Sequence, residues 1–286
     1  MTPLPTPRHV LLTGAAGMLG RVLTAPLAAA CERLTLSDLP GPLATLDAGA
    51  SLRRVPCDLG DAAAVHALLE GVEAVVHLGG VAVEGPFEPI LQANIRGLHH
   101  LYEAARRQGT MRIVFASSNH VTGGYEQGRP TRPDDPPRPD GHYGLSKLFG
   151  EGIASLYADR HGVQTVALRI GTATADDRPP DRRALATWLS HADLVRLVMA
   201  SLTAPEVGFL VAYGISNNTR AWYRSEEAWA RIGYAPQDDA ERFAPEVQHL
   251  VFPDGSPMAR YQGGSFMGIG PFDLPTAARR EPEDGP

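Results

Sequence analysis

The sequence predicts an α/β fold in which helices cover both faces of a parallel β-sheet. Short apolar runs alternate with helical patterns over the first two thirds of the 286-residue chain, as such a fold requires. The first apolar run ends in the glycine-rich turn of residues 14–20, which opens a helix. A chain of this length can also bury a full hydrophobic core. We therefore expect a Rossmann-type doubly wound parallel sheet with a small C-terminal substrate lobe.

The order of the elements follows from these patterns. The predicted strands are residues 9–13, 33–37, 54–57, 74–78, 112–116, 164–170 and, beyond Gly171, 209–213. The predicted helices are residues 17–30, 61–69, 87–108, 143–161 and 225–232, and Gly162 is expected to end the fourth of them. Ser190 and Asp193 resemble a capping box that opens a further helix reaching about Thr203.

Charge and composition exclude several classes of function. The net charge of −6 and pI near 5.9 argue against nucleic acid or an anionic membrane as the main partner. The sequence has no apolar run long enough to span a bilayer, and its first residues lack a secretion signal. Cys31 and Cys57 are too few for a disulfide framework and lack metal-ligand spacing. These features favour a cytoplasmic, metal-free protein.

The glycine run predicts a dinucleotide site. Gly14 permits a tight turn, Gly17 lets backbone N–H groups approach a pyrophosphate, and Gly20 allows close packing of helix on sheet. Asp38 ends the second strand, 18 residues beyond Gly20, where its carboxylate can accept hydrogen bonds from ribose hydroxyls and repel the extra phosphate of NADP. We therefore predict NAD, although a solvated Asp at a strand end is the competing interpretation.

The remaining cofactor contacts come from the glycine-rich turn, the ends of later strands and the helices. The predicted contacts are Ala16, Met18, Leu19, Asp58, Leu59, Leu78, Gly79, Gly80, Asn94, Tyr143, Lys147 and Ile170.

Tyr143 and Lys147 stand four residues apart, which places them on one face of a helix. Tyrosine alone is a weak base at neutral pH, because its ordinary pKa is about 10. A nearby ammonium and the cationic nicotinamide both favour the phenolate, so Lys147 and the cofactor together would lower that value. Ser118, just past the fifth strand, can hydrogen-bond the reacting oxygen, which completes a predicted catalytic trio. We expect His77 to be a buried hydrogen-bonded residue. His120 is expected to be structural, because no acid is evidently placed to orient its imidazole.

The finer pattern resembles the uronate dehydrogenases, a family of the extended short-chain dehydrogenases. The matching stretches are residues 12–17, 77–80, 115–120, 138–141 leading into Tyr143, 169–171, 187–191 and 262–266. The Ser-Asn-His string at 118–120, the Thr-Trp-x-Ser-His string at 187–191 and the Gln-Gly-Gly-x-Phe string at 262–266 are the most particular.

The resemblance implies NAD-dependent oxidation of the anomeric C1 hydroxyl of cyclic hexuronic acids, galacturonate and glucuronate, to an aldarolactone. It also implies assembly as a homo-oligomer. The substrate residues implied are Gly80, Ala82, Ser118, Asn119, His120, Tyr143, Thr172, Arg183 and Phe266. Arg183 would grip the substrate carboxylate, with Arg178 and Arg182 as close rivals by position. Ala82 and Thr172 both stand where relatives have Ser.

Three segments follow from these predictions. Residues 1–171 would form an NAD-binding domain that includes Ser118, Tyr143 and Lys147, residues 172–275 would form most of the substrate lobe, and residues 276–286 a flexible tail. Two other functions remain open at this point. One is a nucleotide-sugar epimerase or dehydratase on the same scaffold, and the other is a non-catalytic dinucleotide-sensing protein.

Overall fold

The computed structural model describes residues 4–46 and 52–272. Within these residues the chain forms one seven-stranded parallel sheet in the order β3-β2-β1-β4-β5-β6-β7. The strands are β1 (His9–Thr13), β2 (Arg33–Asp38), β3 (Arg53–Pro56), β4 (Ala74–His77), β5 (Arg112–Ser118), β6 (Gln164–Ile170) and β7 (Phe209–Gly214). The predicted doubly wound α/β fold is confirmed. Because β1 lies between β2 and β4, the strand order reverses there, and a crevice opens at the carboxyl ends of β1 and β4.

Helices cover both faces of the sheet. They are α1 (Met18–Ala30), α2 (Pro40–Ala44), α3 (Ala62–Leu68), α4 (Phe87–Ile90), α5 (Gly97–Gln108), α6 (His142–His161), α7 (His191–Thr203), α8 (Glu226–Ile232), α9 (Ala244–Val247) and α10 (Pro257–Arg260). Side chains alternate along each strand, so β1 turns Val10 and Leu12 toward α1 and α7, and Leu11 toward α3, α5 and α6. Continuous apolar runs are required here because both faces are buried.

Several predicted boundaries prove wrong in detail. The helix predicted over residues 87–108 is interrupted by a π-helical turn at Leu91–Arg96, which joins α4 to α5. Ser190 does cap α7, since its Oγ accepts a hydrogen bond from the Asp193 backbone N–H at 2.9 Å. The capping box is incomplete, however, because the Asp193 carboxylate instead accepts the backbone N–H groups of Gln237 and Asp238. Asp193 therefore joins α7 to the segment after α8.

Some residues after β6 pack apart from the main core. Leu185, Trp188 and Ala240 form a small separate apolar cluster with α9. Residues 262 and 263 donate backbone hydrogen bonds to the loop between β5 and α6. The flexible tail predicted for residues 276–286 lies outside the described residues. Within the described part of the chain, no helix has the length and apolar character needed to cross a bilayer.

Candidate active site

A cleft of about 590 Å³ lies at the carboxyl ends of the strands, where the two halves of the sheet meet. It runs from the glycine-rich turn after β1, past β4, β5 and α6, to the C-terminal lobe. Most predicted site residues line it: Gly14, Ala16, Gly17, Met18, Leu19, Asp38, Leu78, Gly79, Gly80, Ala82, Ser118, Asn119, His120, Tyr143, Lys147, Ile170, Thr172, Arg183 and Phe266. One cleft thus unites the predicted cofactor and substrate residues.

The glycine-rich turn is built for close approach of backbones. Gly14 has a φ of +68°, and a Cβ there would lie 2.7 Å from the Leu78 carbonyl carbon. Gly20 packs so closely that an added Cβ would overlap the carbonyl oxygens of Gly14 and Ala15. Gly17 stands at the N-terminus of α1, where no side chain caps the first N–H groups. These donors and the helix dipole therefore face the cleft, as binding of a diphosphate requires.

Asp38 is held in place at the end of β2. Its Oδ2 accepts a hydrogen bond from the Ala16 backbone N–H at 2.9 Å, and its Oδ1 accepts one from the Leu39 N–H at 2.8 Å. Each carboxylate oxygen has capacity for a further donor. The fixed carboxylate lies on the cleft wall beside the glycine-rich turn, which suits a ribose diol and opposes a 2′-phosphate.

Three predicted cofactor residues lie behind the cleft wall. Asp58 accepts a hydrogen bond from the Gly60 N–H, and the Leu59 side chain would lie 3.0 Å from a Cβ at Gly79. Asn94 donates to the Val81 carbonyl at 2.9 Å and accepts from the Val81 N–H at 2.8 Å. The Asn94 bonds hold the loop after β4, and the direct cofactor contact of Asp58, Leu59 and Asn94 stays a prediction.

Ser118, Tyr143 and Lys147 converge from β5 and α6, and all three are buried. The Lys147 Nζ lies 5.5 Å from the centroid of the Tyr143 ring. Burial raises the pKa of Tyr143 to about 12, while its hydrogen bond with Ser118 acts in the opposite direction. Burial also lowers the pKa of Lys147 to about 8. In the protein alone, burial and the nearby Asp140 carboxylate outweigh the hydrogen bond with Ser118. The predicted lowering of the tyrosine pKa, which includes the charge of the bound nicotinamide, stays a prediction.

Arg183 lies in a short 3₁₀ turn (Arg183–Ala186), with its guanidinium on the cleft wall. Its Nε donates to the Gln262 carbonyl at 2.7 Å, and its Nη2 donates to the same oxygen. Its Nη1 donates to Thr172 Oγ1 at 3.3 Å. Of the two rivals, Arg178 pairs with Glu246 on the surface, and Arg182 is exposed. Arg183 is thus the one of the three that faces the cleft.

His120 and Phe266 line the cleft, and Asp140 lies behind the imidazole. The His120 Nδ1 lies 2.6 Å from Asp140 Oδ2. The imidazole stacks on Phe266 with a centroid distance of 3.8 Å and meets the Tyr143 ring edge-on at 5.8 Å. The expectation that no acid orients His120 is therefore wrong. His77 is buried as predicted, bonded through Nδ1 to Thr13 Oγ1 at 2.7 Å.

Comparison with known proteins identifies the family. Residues 10–208 match the NAD dependent epimerase/dehydratase family. A uronate dehydrogenase of Pseudomonas putida is 47% identical over 274 residues, covering 96% of this chain and 100% of the relative. The chain belongs to the uronate dehydrogenases. The crystal structure of a mutated uronate dehydrogenase from Agrobacterium tumefaciens, complexed with NAD, is 45% identical with a TM-score of 0.86, covering 93% of this chain and 99% of that one.

A second solved structure agrees. Glucuronic acid dehydrogenase from Chromohalobacter salexigens is 42% identical, with a TM-score of 0.85, and the match covers 92% of this chain and 98% of that chain. The uronate dehydrogenase resemblance predicted from the motifs is thus confirmed.

Sequence reasoning missed Glu84, the residue that fixes the start of the helix carrying Tyr143. Gly141 precedes α6 and has no side chain to cap it. Glu84 takes that role from the loop after β4, since its carboxylate accepts hydrogen bonds from the His142 N–H at 3.0 Å and the Tyr143 N–H at 2.9 Å. A cap supplied from 59 residues away leaves no local pattern in the sequence.

Proposed function

We propose that the protein oxidises the C1 hydroxyl of cyclic hexuronic acids, galacturonate and glucuronate, to the aldarolactone with NAD as the hydride acceptor. One observation supports this most strongly: Arg183, which suits a carboxylate, shares a single cleft with Ser118, Tyr143 and Lys147. Family membership supports the same reaction. The protein thus combines a site for the acid group with a site for proton removal.

The chain's own residues fit NAD. The uncapped N-terminus of α1 faces the cleft at Gly17, and the close backbone contacts of Gly14 and Gly20 leave no room for side chains in this cradle. The fixed Asp38 carboxylate suits the adenosine ribose. When bound, NAD supplies the carbon that accepts hydride and a positively charged ring.

Tyr143 is the proposed base. In the protein alone, burial disfavours its phenolate. The hydrogen bond with Ser118 offsets part of this penalty, and the Lys147 Nζ lies 5.5 Å from the ring centroid. Ser118 would also hydrogen-bond the sugar oxygen. Buried electrostatic interactions of this kind are stronger than in water. Tyr143 would take the C1 hydroxyl proton, with Lys147 stabilising the anionic state from which it acts.

Arg183 is the proposed carboxylate anchor. A guanidinium has five N–H donors, and the bonds to Gln262 and Thr172 engage three of them. One hydrogen on each terminal nitrogen remains, which matches the two oxygens of a carboxylate. Asn119, bonded through its Nδ2 to the Tyr223 hydroxyl at 3.1 Å, lies between the anchor and Ser118 on the cleft wall and would contact sugar hydroxyls.

The test is NADH formation with galacturonate, glucuronate, their neutral parent sugars and UDP-sugars, first with NAD and then with NADP. We expect turnover of the two uronates with NAD and little with the neutral sugars. Tyr143→Phe should abolish turnover and leave NAD binding nearly intact. Undiminished turnover in this variant would overturn the assigned base.

The same assay separates the two alternatives. An epimerase or dehydratase would act on the UDP-sugars and retain its NAD through purification, whereas we expect NAD to exchange freely. A dinucleotide sensor would bind NAD without turning over any sugar. The homo-oligomeric assembly and cytoplasmic location suggested at the level of the sequence, and its division at Gly171 into a cofactor domain and a substrate lobe, remain predictions.

A further inference from the structure

Asp140 is a carboxylate enclosed at the edge of the substrate site. Its side chain has 0% exposure, against 12% for that of its partner His120. It lies in the loop just before α6, twenty residues after His120, and its Oδ2 is 2.6 Å from the imidazole Nδ1. A buried carboxylate is costly unless it is paired, so this position calls for a functional explanation.

Glycine backbones form the walls around this carboxylate. An added Cβ at Gly123 or Gly263 would overlap Asp140 Oδ2, and one at Gly144 would lie 3.0 Å from Oδ1. Three separate segments therefore depend on the absence of side chains to make room for one acid. Oδ1 is buried and has no hydrogen-bond partner within residues 4–46 and 52–272. The carboxylate is thus stabilised mainly by the hydrogen bond that Oδ2 accepts from the imidazole Nδ1.

The imidazole has little freedom to turn. It stacks on the Phe266 ring at 3.8 Å with an interplanar angle of 13°, and the Tyr143 ring meets it edge-on. A carboxylate can only accept a hydrogen bond, so Nδ1 must carry the hydrogen. In the neutral ring, Nε2 is then an acceptor. His120 lines the cleft, and Nε2 has no partner in the described part of the chain.

We infer that Asp140 is a positioning residue that locks neutral His120 in the tautomer with hydrogen on Nδ1, so that Nε2 accepts a hydrogen bond from a ring hydroxyl of the sugar. The inference rests on the proposed function and deepens it. The site would thereby select a hydroxyl that donates, rather than any polar substituent. A substituent that accepts but cannot donate would leave Nε2 unpaired. A site that leaves a polar group unpaired rejects the wrong substrate more strongly than a site that only lacks a favourable contact.

Glucuronates with fluorine in place of the hydroxyl at C2, C3 or C4 test this selection, because fluorine cannot donate. All assays are run at one alkaline pH, because raising the pH favours the neutral form of an imidazole. At one of the three positions we expect kcat/KM of the parent protein to fall about 10- to 100-fold. Fluorine also alters the reactivity of C1 electronically. This effect is the same for the parent and for a variant protein, so comparing the two proteins on the same fluorinated sugar cancels it.

Asp140→Leu preserves the approximate shape of the side chain and removes the acceptor. The imidazole should then return to the Nε2–H tautomer favoured by free histidine, which donates and tolerates fluorine. The fluorine penalty at the selected position should shrink to about threefold or less, the size expected once no acceptor is left unpaired. Asp134→Leu, at an exposed position of the same loop, is the matched control and should keep the parent's pattern. An unchanged pattern in Asp140→Leu would overturn the inference, as would a parent that shows no selected position.

Ring-nitrogen NMR of ¹⁵N-histidine-labelled protein tests the tautomer without any substrate. His120→Gln assigns the resonances. We expect hydrogen on Nδ1 of His120 in the parent and on Nε2 in Asp140→Leu. Hydrogen on Nε2 in the parent refutes the inference, even if Asp140→Leu fails to fold. Because this readout needs no turnover, a failure of the proposed uronate activity is distinguishable from a failure of the Asp140 role.

Discussion

Removing the guanidinium of Arg183 tests the proposed carboxylate anchor most directly. Two donors remain on its terminal nitrogens after its bonds to Gln262 and Thr172, so a charge-assisted pair with the substrate should be worth about 2–3 kcal/mol. Arg183 is partly exposed, and solvent screening keeps the value below that of a fully buried pair. Arg183→Ala should therefore lower kcat/KM for glucuronate about 30- to 150-fold.

The control uses both the neighbouring arginine and the neutral sugar. Arg182 is exposed and lies outside the cleft wall, so Arg182→Ala should retain the parent kinetics. With glucose, Arg183→Ala should change the residual rate by no more than about threefold, because glucose has no carboxylate for Arg183 to bind. Equal losses on glucose and glucuronate would show that Arg183 supports the fold of the site rather than the acid group. Parent-like kinetics on glucuronate would place the anchor elsewhere.

Further predictions concern the cofactor cradle and the buried ammonium. Gly20→Ala should weaken NAD binding at least tenfold in titrations and destabilise the fold by about 1–3 kcal/mol, because the added Cβ would overlap the Gly14 carbonyl. The control is Gly41→Ala, whose added Cβ has free space, so this variant should be neutral in both measurements. Asp38→Ser should raise the ratio of NADP to NAD kcat/KM about tenfold or more, and an unchanged ratio would remove Asp38 from the ribose site. Burial lowers the pKa of Lys147 from 10.5 to about 8, which disfavours the folded state by about 3 kcal/mol below pH 8. This cost should disappear between about pH 8 and 10.5. Relative to the parent at each pH, Lys147→Met, although inactive, should therefore melt at a higher temperature at pH 7 and lose that advantage near pH 10.5; a lower melting temperature than the parent at pH 7 would contradict this.

Local patterns predicted the scaffold because each has a local physical cause. Continuous apolar runs revealed strands such as Gln164–Ile170, since both faces of a parallel sheet are buried. Gly162, with a φ of +70°, ended α6 where predicted because a left-handed residue favours glycine. The π-helical turn Leu91–Arg96 was missed, since its residues satisfy the same apolar periodicity as an α-helix and Asn94 is drawn inward by a tertiary contact with Val81.

The site residues likewise divide into those that local sequence patterns predict and those that only tertiary contacts reveal. Gly14, Tyr143 and Lys147 were predictable because fixed spacings along one turn or one helix face carry their chemistry. The Asp140 partnership with His120 was not, although both residues stand in motifs that the resemblance singled out. Twenty residues of irregular loop separate them, and no periodicity relates two positions across such a loop. The choice of Arg183 over its neighbours likewise required the contacts of its guanidinium.

A three-residue segment near the end of the described chain links the two ends of the proposed substrate site. The Gln262 carbonyl holds the Arg183 guanidinium, and a Cβ at Gly264, whose φ is +59°, would lie 2.6 Å from Arg183 Cδ. The intervening Gly263 packs its backbone against Asp140. The buried Gln262 side chain anchors the segment to the loop before α6. Because the same backbone fixes both the cation for the acid group and the carboxylate behind the imidazole, the segment sets the distance between them. In the proposed site, the Gln-Gly-Gly string therefore sets the spacing between the carboxylate anchor and the imidazole that would contact the sugar, whereas the Tyr/Lys pair would serve the reaction itself.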